Sequence, residues 1–328
     1  MTPPNVLPFE SPPPPLRHIR RGFDSIPRDL SKAELLRYFT YSPEDRHEIF
    51  QCRGNSNKVG FAVLLGGIRL TGRFPTGLEL IGQSLLTHVC GQLKIEGMLF
   101  LDYPQRRPTR HEHIERLKQY LGLRSFAADD QSIVTEFVRE QVHAGTPPED
   151  LLGQTEEHLR AQRIVLPGLT VLDKSVTTAA IKAEEDLYDQ LGRRVTPEVR
   201  ERILGLLIIA EGEKLTPFQQ LQQTADRPSP DALIRELDHL EQVRALIPET
   251  LDFSDLPQPL VERWARLTGA LPTRSLQRFG ESKRLALLLC WLWRLQTQLI
   301  DTALTVGNDL IAGVLRRAKH GFEKARGQ

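Results

Sequence analysis

Residues 55 to 70 read NSNKVGFAVLLGGIRL, and this stretch decides the class of the fold. Its apolar residues recur at the i, i+3, i+4 and i+7 spacing of one helical face, as Phe61, Leu64, Leu65 and Ile68. The other faces carry Asn55, Asn57, Lys58 and Arg69. The stretch therefore predicts a helix that begins at about Asn55 and has polar side chains at its start.

The segments on either side repeat this helical pattern. Upstream, Ser42 followed by Pro43 is a helix start signal, because proline at the first helical position loses no hydrogen bond. Downstream, apolar stripes of helical period occur in residues 133–142, 172–191 and 284–304. The best strand candidates, residues 98–103 and 164–166, are both short. We predict an all-α fold of tandem small helix-turn-helix-like domains joined by short linkers, with a C-terminal helical segment.

Proline and glycine divide the chain into parts. Seven prolines in residues 1–16 predict a disordered tail, which we extend over residues 1–28. Gly145, Pro147 and Pro148 predict one domain boundary, and the acidic, proline-containing residues 248–259 predict another. The expected domains are residues 29–145 and 146–256, and residues 257–328 are expected to form a helical connecting or docking segment.

The composition excludes several classes of protein. The 43 Lys and Arg residues nearly balance the 42 Asp and Glu residues, so a nucleic-acid partner must be sought in local clusters of charge. Three cysteines without metal-ligand spacing suit a reducing cytoplasm. No signal peptide is visible, and the longest apolar run, Leu285 to Trp293, is far shorter than the ~20 residues that span a bilayer. We expect a cytoplasmic, nucleoid-associated protein without a membrane partner.

One such cluster lies in residues 104–122, PQRRPTRHEHIERLKQYLG. Thr109 and Glu112 have the spacing of a capping box, which predicts a helix from about Arg110. The first turn of this helix carries mostly cations, namely Arg106, Arg107, Arg110, His111 and His113. Because the amino end of a helix is itself electropositive, these cations oppose the helix dipole, and an anion such as phosphate would compensate.

Other interpretations of these residues are open. His111 and His113 stand two residues apart and diverge by about 200° on a helix, so they do not suit a shared metal ion. The basic first turn can also be a solvated surface without a ligand. Asn55, Asn57 and Lys58 are residue types that contact base edges and phosphates in a major groove, although asparagine is also an ordinary helix cap.

Several strings resemble a known family when taken together. They are LLRYFTYSPED at 35–45, GRFP at 72–75, RRPTRHEHIERLKQYLGLRSF at 106–126, RIVLPGLTVLDKSV at 163–176 and RPSPDALIRELDHL at 227–240. In this order they resemble the amino-terminal region of transposases of the Tn-three family, the large enzymes of replicative transposons. The resemblance runs from about Leu30 to Arg317. His111, where the pattern has arginine, and the proline tail are departures from the family.

The resemblance implies binding to double-stranded DNA at the terminal inverted repeats of a transposon. By motif, it carries over the basic helix start and the start of the helix at Asn57, Lys58, Gly60 and Phe61. The residues that we expect to contact DNA are Arg106, Arg107, Thr109, Arg110, His111, His113, Lys118, Asn55, Asn57, Lys58, Arg69 and Arg73. Of these, Arg106, Arg107, Arg110 and Lys118 would hold phosphates, and Asn55, Asn57 and Lys58 would reach bases.

The family cuts DNA with an acidic, metal-binding triad in an RNase-H-like domain far downstream of the resembled region. We therefore expect no enzyme activity, no metal and no cofactor from these 328 residues. Expected partners besides DNA are a second copy of the chain or the rest of a transposase. The alternative function is a helical protein-interaction module or a free-standing regulator of transposition, in which residues 285–304 provide a dimer or docking surface.

Overall fold

The computed structural model describes residues 25–96, 100, 103, 107–223, 229–247 and 251–326, without the side chains of residues 321 and 323–325. Within these residues, helices dominate, and the predicted all-α class is confirmed. The two strands, β1 (Arg124–Ser125) and β2 (Ile164–Val165), form a short parallel pair in which Arg124 is opposite Ile164. The candidate strand at 164–166 is thus confirmed. Of residues 98–103, only Phe100 and Tyr103 are described.

The first compact unit comprises the described residues up to Arg139 together with Pro147–Ala180. Its helices are α1 (Lys32–Tyr38), α2 (Pro43–Phe50), α3 (Asn55–Thr71), α4 (Gln83–Leu93), α5 (Arg107–Leu121), most of α6 (Asp130–His143), α7 (Pro148–Ala161) and the first half of α8 (Leu169–Gly192). Helices α1, α2, α4 and α5 all pack on α3. Ser31 and Ser42 cap α1 and α2 through complete capping boxes, so the predicted start at Ser42 is confirmed.

Helix α3 is the centre of this unit. Every residue from Val59 to Ile68 is buried, although the sequence predicts polar faces beside the apolar one. Two glycines account for the burial of the remaining sides. A Cβ atom on Gly66 would lie 2.1 Å from the Phe39 ring, and one on Gly60 would lie 2.4 Å from the Tyr103 ring. The body of α3 therefore has no surface that could enter a DNA groove, and only its first turn, Arg69 and Leu70 reach solvent.

The second compact unit comprises Glu140–Thr146 and the described residues from Ile181 onward. After α8 it contains α9 (Pro197–Gly205), α10 (Pro217–Leu221), α11 (Pro230–Leu246), α12 (Gln258–Ala270), α13 (Thr273–Gln277) and the long α14 (Glu281–Arg326). Helices α9, α11 and α12 pack on α14. Aromatic pairs fill the interior, with Tyr188 against Trp264 and Phe218 against Trp291.

These units do not coincide with the three helical segments predicted from the sequence. The chain does pass from one unit to the other at the turn from Gly145 to Pro148, because Glu140–Thr146 belongs to the second unit. The residues from Pro147 to Ala180, however, return to the first unit. They are held there by β2 and by the buried Arg73, whose guanidinium donates to Glu156 over 2.6 Å and to the carbonyl of Pro167 over 2.7 Å. Contacts between residues this far apart in the chain cannot be predicted from local composition.

Among the described residues, no helix is both long and apolar enough to cross a membrane.

The packing of α3 predicts opposite effects for two helical Gly-to-Ala substitutions. Gly66→Ala places a methyl group against Phe39 and should lower the free energy of unfolding by about 1–3 kcal/mol, the usual cost of overpacking. Gly91→Ala, in α4, meets no atom within 4 Å and should raise it by roughly 0.5–1 kcal/mol through helix propensity. Urea unfolding of both variants measures this. A stabilised Gly66→Ala variant would show that α3 is not closely packed on Phe39.

Candidate nucleic-acid interface

The turn between α2 and α3 exposes the start of α3. Gly54 precedes the helix with φ of 80° and provides no side-chain cap. Asn57 folds back on the turn, where its Nδ2 donates to the carbonyl of Arg53 over 2.9 Å. Asn55 is exposed, whereas Asn57 is half-buried. Since the first amides of a helix lack partners within it, this turn offers N–H donors to an anion.

Basic and aromatic side chains surround this turn. Lys58 lies 5.3 Å from the centre of the Phe50 ring, and Phe50 remains 49% exposed on α2. Arg46, one helical turn before Phe50, and Arg53, in the turn, are both exposed. The sequence analysis missed Arg46, Phe50 and Arg53. Their signal was the i, i+4 spacing of Arg46 and Phe50 immediately before the glycine turn.

Helix α5 begins at Arg107, so the start predicted at about Arg110 from the Thr109 capping box is wrong. Pro108 suits a position in the first turn, where its missing N–H leaves no helical hydrogen bond unmade. Thr109 thus lies inside the helix. Arg107 and His111 are exposed, and Arg110 donates from Nη2 to the carbonyl of Pro75 over 2.5 Å. Arg106 lies outside the described residues.

His113 is a core residue rather than a surface cation. Its Nδ1 lies 2.9 Å from the hydroxyl of Tyr103, and Phe61 packs edge-on against its ring. Burial, assisted by the charge of Arg116, lowers the pKa of His113 to about 4. The imidazole is therefore neutral near pH 7. The prediction of a DNA contact at His113 is corrected, because the ring is buried and uncharged.

Three further predicted cations are engaged within the protein. Arg73 is 3% exposed, so it cannot reach DNA, and the prediction of a contact there is also corrected. Lys118 pairs with Glu115 at 2.5 Å and donates to Ser125 over 2.8 Å. Arg69 forms a bidentate pair with Asp45, with nitrogen-to-oxygen distances of 2.7 and 2.8 Å.

Asp45 is the buried acceptor that joins three helices. Besides Arg69 it receives a hydrogen bond from the hydroxyl of Tyr120 on α5, over 2.7 Å. Burial opposes the ionisation of Asp45, but the hydrogen bonds and charge of Arg69 outweigh it and lower the pKa of the carboxyl group. Arg69 therefore serves mainly to keep α2, α3 and α5 together.

Arg116, which the sequence analysis also missed, fixes the end of α2 to α5. Its Nη2 donates to the carboxylate of Glu48 over 2.6 Å and to the side chain of Gln51 over 2.7 Å. The guanidinium also lies 5.1 Å from the centre of the Phe61 ring. Arg116 therefore positions the turn that leads into α3.

The contacts along α5 indicate that the first turns of α3 and α5 lie at the same end of this pair of helices. Early in α5, His113 meets Phe61 near the start of α3. Later in α5, Tyr120 meets the Asp45 that pairs with Arg69 near the end of α3. The two helices therefore run in the same direction. We call Arg53, Lys58, Arg107 and His111, at their starts, the basic end of the first unit.

The described residues contain no group of three or more His, Cys, Asp or Glu side chains that could hold a metal ion. His111, on the surface, and His113, in the core, do not share a site.

Comparison with known proteins relates this fold to the transposases. Residues 18–179 match a protein family described as a domain of unknown function, DUF4158. The chain is 26% identical over 315 residues to the transposase for transposon Tn1546 of Enterococcus faecium, covering 94% of this chain and 32% of that protein. It is 27% identical over 296 residues to the transposase for transposon Tn501 of Pseudomonas aeruginosa, covering 90% and 30%.

A third relative is the transposase for transposon gamma-delta of Escherichia coli K12, 26% identical over 311 residues, with 94% of this chain and 31% of that protein covered. The chain thus spans about a third of the length of the relatives it matches. An all-helical protein related to transposases is the class that the fold and these matches define. Within that class, the resemblance to the amino-terminal region of the Tn-three family transposases is confirmed.

The environment of His113 predicts a pH-dependent stability. The unfolded chain binds a proton at this residue near pH 6.5, whereas the folded chain does so only near pH 4. Stability should therefore fall as the pH drops from about 6.5 towards 4. Between pH 7.5 and 5.5 the expected loss in free energy of unfolding is about 1 kcal/mol.

Urea unfolding at these two pH values, with His113→Gln as the comparison, isolates the contribution of the residue. The variant is less stable at pH 7.5 because Tyr103 loses its partner, but its stability should depend less on pH. An equal pH dependence in both proteins would mean that His113 titrates normally.

Proposed function

We propose that the first unit binds double-stranded DNA through its basic end, and that it recognises the terminal inverted repeats of a transposon. The observation that carries the proposal is the basic end itself, in a chain related over nine-tenths of its length to proteins named as transposases. DNA recognition, not cleavage, is the role that we assign to these residues.

Phosphate binding is the first part of this role. Lys58 provides positive charge on the first turn of α3, which has no side-chain cap, and Arg53 extends it along the preceding turn. Arg107 adds an exposed cation at the start of α5. Amides at a helix start and basic side chains contact phosphate oxygens without reading sequence. The exposed ring of Phe50 gives the same surface an apolar element that could contact sugars or a thymine methyl group.

Fewer residues are candidates for base contacts than the sequence suggested. Asn55 remains the candidate on the first turn of α3, because we assign Lys58 to phosphate and the amide nitrogen of Asn57 is used within the turn. A second DNA-binding domain at residues 146–256 stays a prediction, because those residues are divided between the two compact units. Two separate contacts on one duplex would raise the affinity through effective concentration.

The first experiment compares two duplexes of equal length, one bearing the inverted-repeat ends of the source transposon and one scrambled, at physiological salt. A preference of about a thousandfold or more would establish specific recognition. Equal, weak binding to both duplexes would instead favour the alternative, a helical protein-interaction module whose basic end meets an acidic partner.

Variants of the basic end test which residues hold phosphate. Lys58→Gln and Arg107→Gln should each weaken binding to both duplexes and reduce the slope of log affinity against log salt by about one. Lys174→Gln, at an exposed position on α8, is the matched control and should leave the slope unchanged. If Lys58→Gln and Arg107→Gln have the same salt slope as the control Lys174→Gln, the basic end is not part of the DNA interface.

A further inference from the structure

Phe50, at the last position of α2, is an aromatic residue on the surface of the first unit. It is 49% exposed, and no other Phe, Tyr or Trp among the described residues of this unit is exposed. A single apolar side chain at the surface is common in proteins, so exposure alone assigns no role. The position of Phe50 is what distinguishes it, because the ring lies beside the basic end.

Phe50 belongs to a face of α2 that the first unit leaves uncovered. Helix α2 buries one side, at Asp45 and Ile49. At about 100° per residue, four exposed positions on the other side fall within about 100° of one another around the helix. We call these positions the outer face of α2, and they are Pro43, Arg46, His47 and Phe50. Glu44 is also exposed, but it lies in the first turn, at the end of α2 away from Phe50.

The dimensions of α2 suit the major groove of DNA. Its 8 residues make a helix about 12 Å long, and the major groove of B-form DNA, about 12 Å wide, admits an α-helix. Helix α3 cannot take this place, because its body is buried from Val59 to Ile68. Helix α2 has an uncovered face of its own, and it leads directly into the turn that carries Arg53.

Basic side chains flank the Phe50 ring. Arg46 precedes it by one helical turn and Arg53 follows it in the next turn of the chain, and both are exposed. The Nζ atom of Lys58 lies 5.3 Å from the centre of the ring. An ammonium group over an aromatic ring is attracted to it, which restricts the positions that the ring adopts. When these cations contact phosphates, the ring between them is directed at the bases.

Thymine is the base whose chemistry matches a phenyl ring in this position. In the major groove, adenine, guanine and cytosine present hydrogen-bond donors and acceptors, whereas thymine adds an apolar 5-methyl group. The phenyl ring has no hydrogen-bonding atom with which to read the first three. Contact between the ring and the methyl group removes apolar surface of both from water, which favours binding.

We propose that Phe50 recognises a thymine of the terminal inverted repeat by packing against its 5-methyl group, with the outer face of α2 in the major groove. The inference rests on the proposed function, because it concerns the same DNA-binding surface, and it adds the identity of one base. Since the ring carries no charge, Phe50 contributes to the preference for sequence and not to the salt dependence of binding.

The test replaces each thymine of the terminal-repeat duplex by deoxyuridine, one at a time, which removes a methyl group and keeps the base pair. At one position the change should weaken binding by roughly fourfold, the factor that burial of one methyl group provides. The Phe50→Ala chain should bind this uracil duplex and the thymine duplex equally, and Phe50→Leu should keep part of the difference. Val171→Ala, at a side chain 57% exposed on α8, is the matched control and should keep all of it.

The Phe50→Ala chain should also have the salt slope of the unsubstituted chain, in contrast to Lys58→Gln, with circular dichroism confirming an intact fold. A chain that prefers the terminal repeat but responds to uracil at no position overturns the thymine contact and leaves the proposed function in place. A response that persists at every position in Phe50→Ala assigns the methyl group to another residue and also overturns the contact. Without a preference for the terminal repeat, the proposed function fails and the inference fails with it.

Discussion

Burial of the body of α3, from Val59 to Ile68, is the constraint on which the first unit depends. A helix that is buried all around needs neighbours on every side, and α1, α2, α4 and α5 supply them. Close approach is possible because Gly60 and Gly66 carry no side chains where the Tyr103 and Phe39 rings lie. The cost is that α3 keeps little of its own surface. Any contact of α3 with a ligand must therefore be made mainly by its first turn, which explains why the functional surface is an end of the helix and not a face.

The same burial determines what the charged residues around α3 do. Polar groups that are covered by packed helices must find partners inside the protein, and Asp45 with Arg69 and Tyr120 is one such set. Arg116 with Glu48 and Gln51 is another. These networks hold α2 and α5 at fixed positions against α3. Of the cations near the start of α3, Arg46 and Arg53 remain exposed and Lys58 is half-buried, so accessible positive charge is found on α2 and at the turn into α3.

The sequence predicted the helices well, but it did not predict which basic residues are buried within the protein and which are exposed. Period and start signals such as Ser42 with Pro43 depend on neighbouring residues, so local reasoning was sufficient for them. Arg73, by contrast, stands in a basic, turn-rich string, and its burial depends on Glu156 and Pro167, which are far away in sequence. His113 was read as part of a basic first turn. Its neutrality follows from Tyr103 and Phe61, which no local pattern connects to it.

Helix α14 shows the same limit in another form, because periodicity reports that a face is apolar but not what covers it. Apolar residues recur with the same helical period in residues 285–292 and after residue 303, yet the second unit buries the first set and leaves Leu304, Ile311 and Leu315 exposed. The burial pattern, and not the periodicity, therefore distinguishes the face that forms the core from the face that stays exposed.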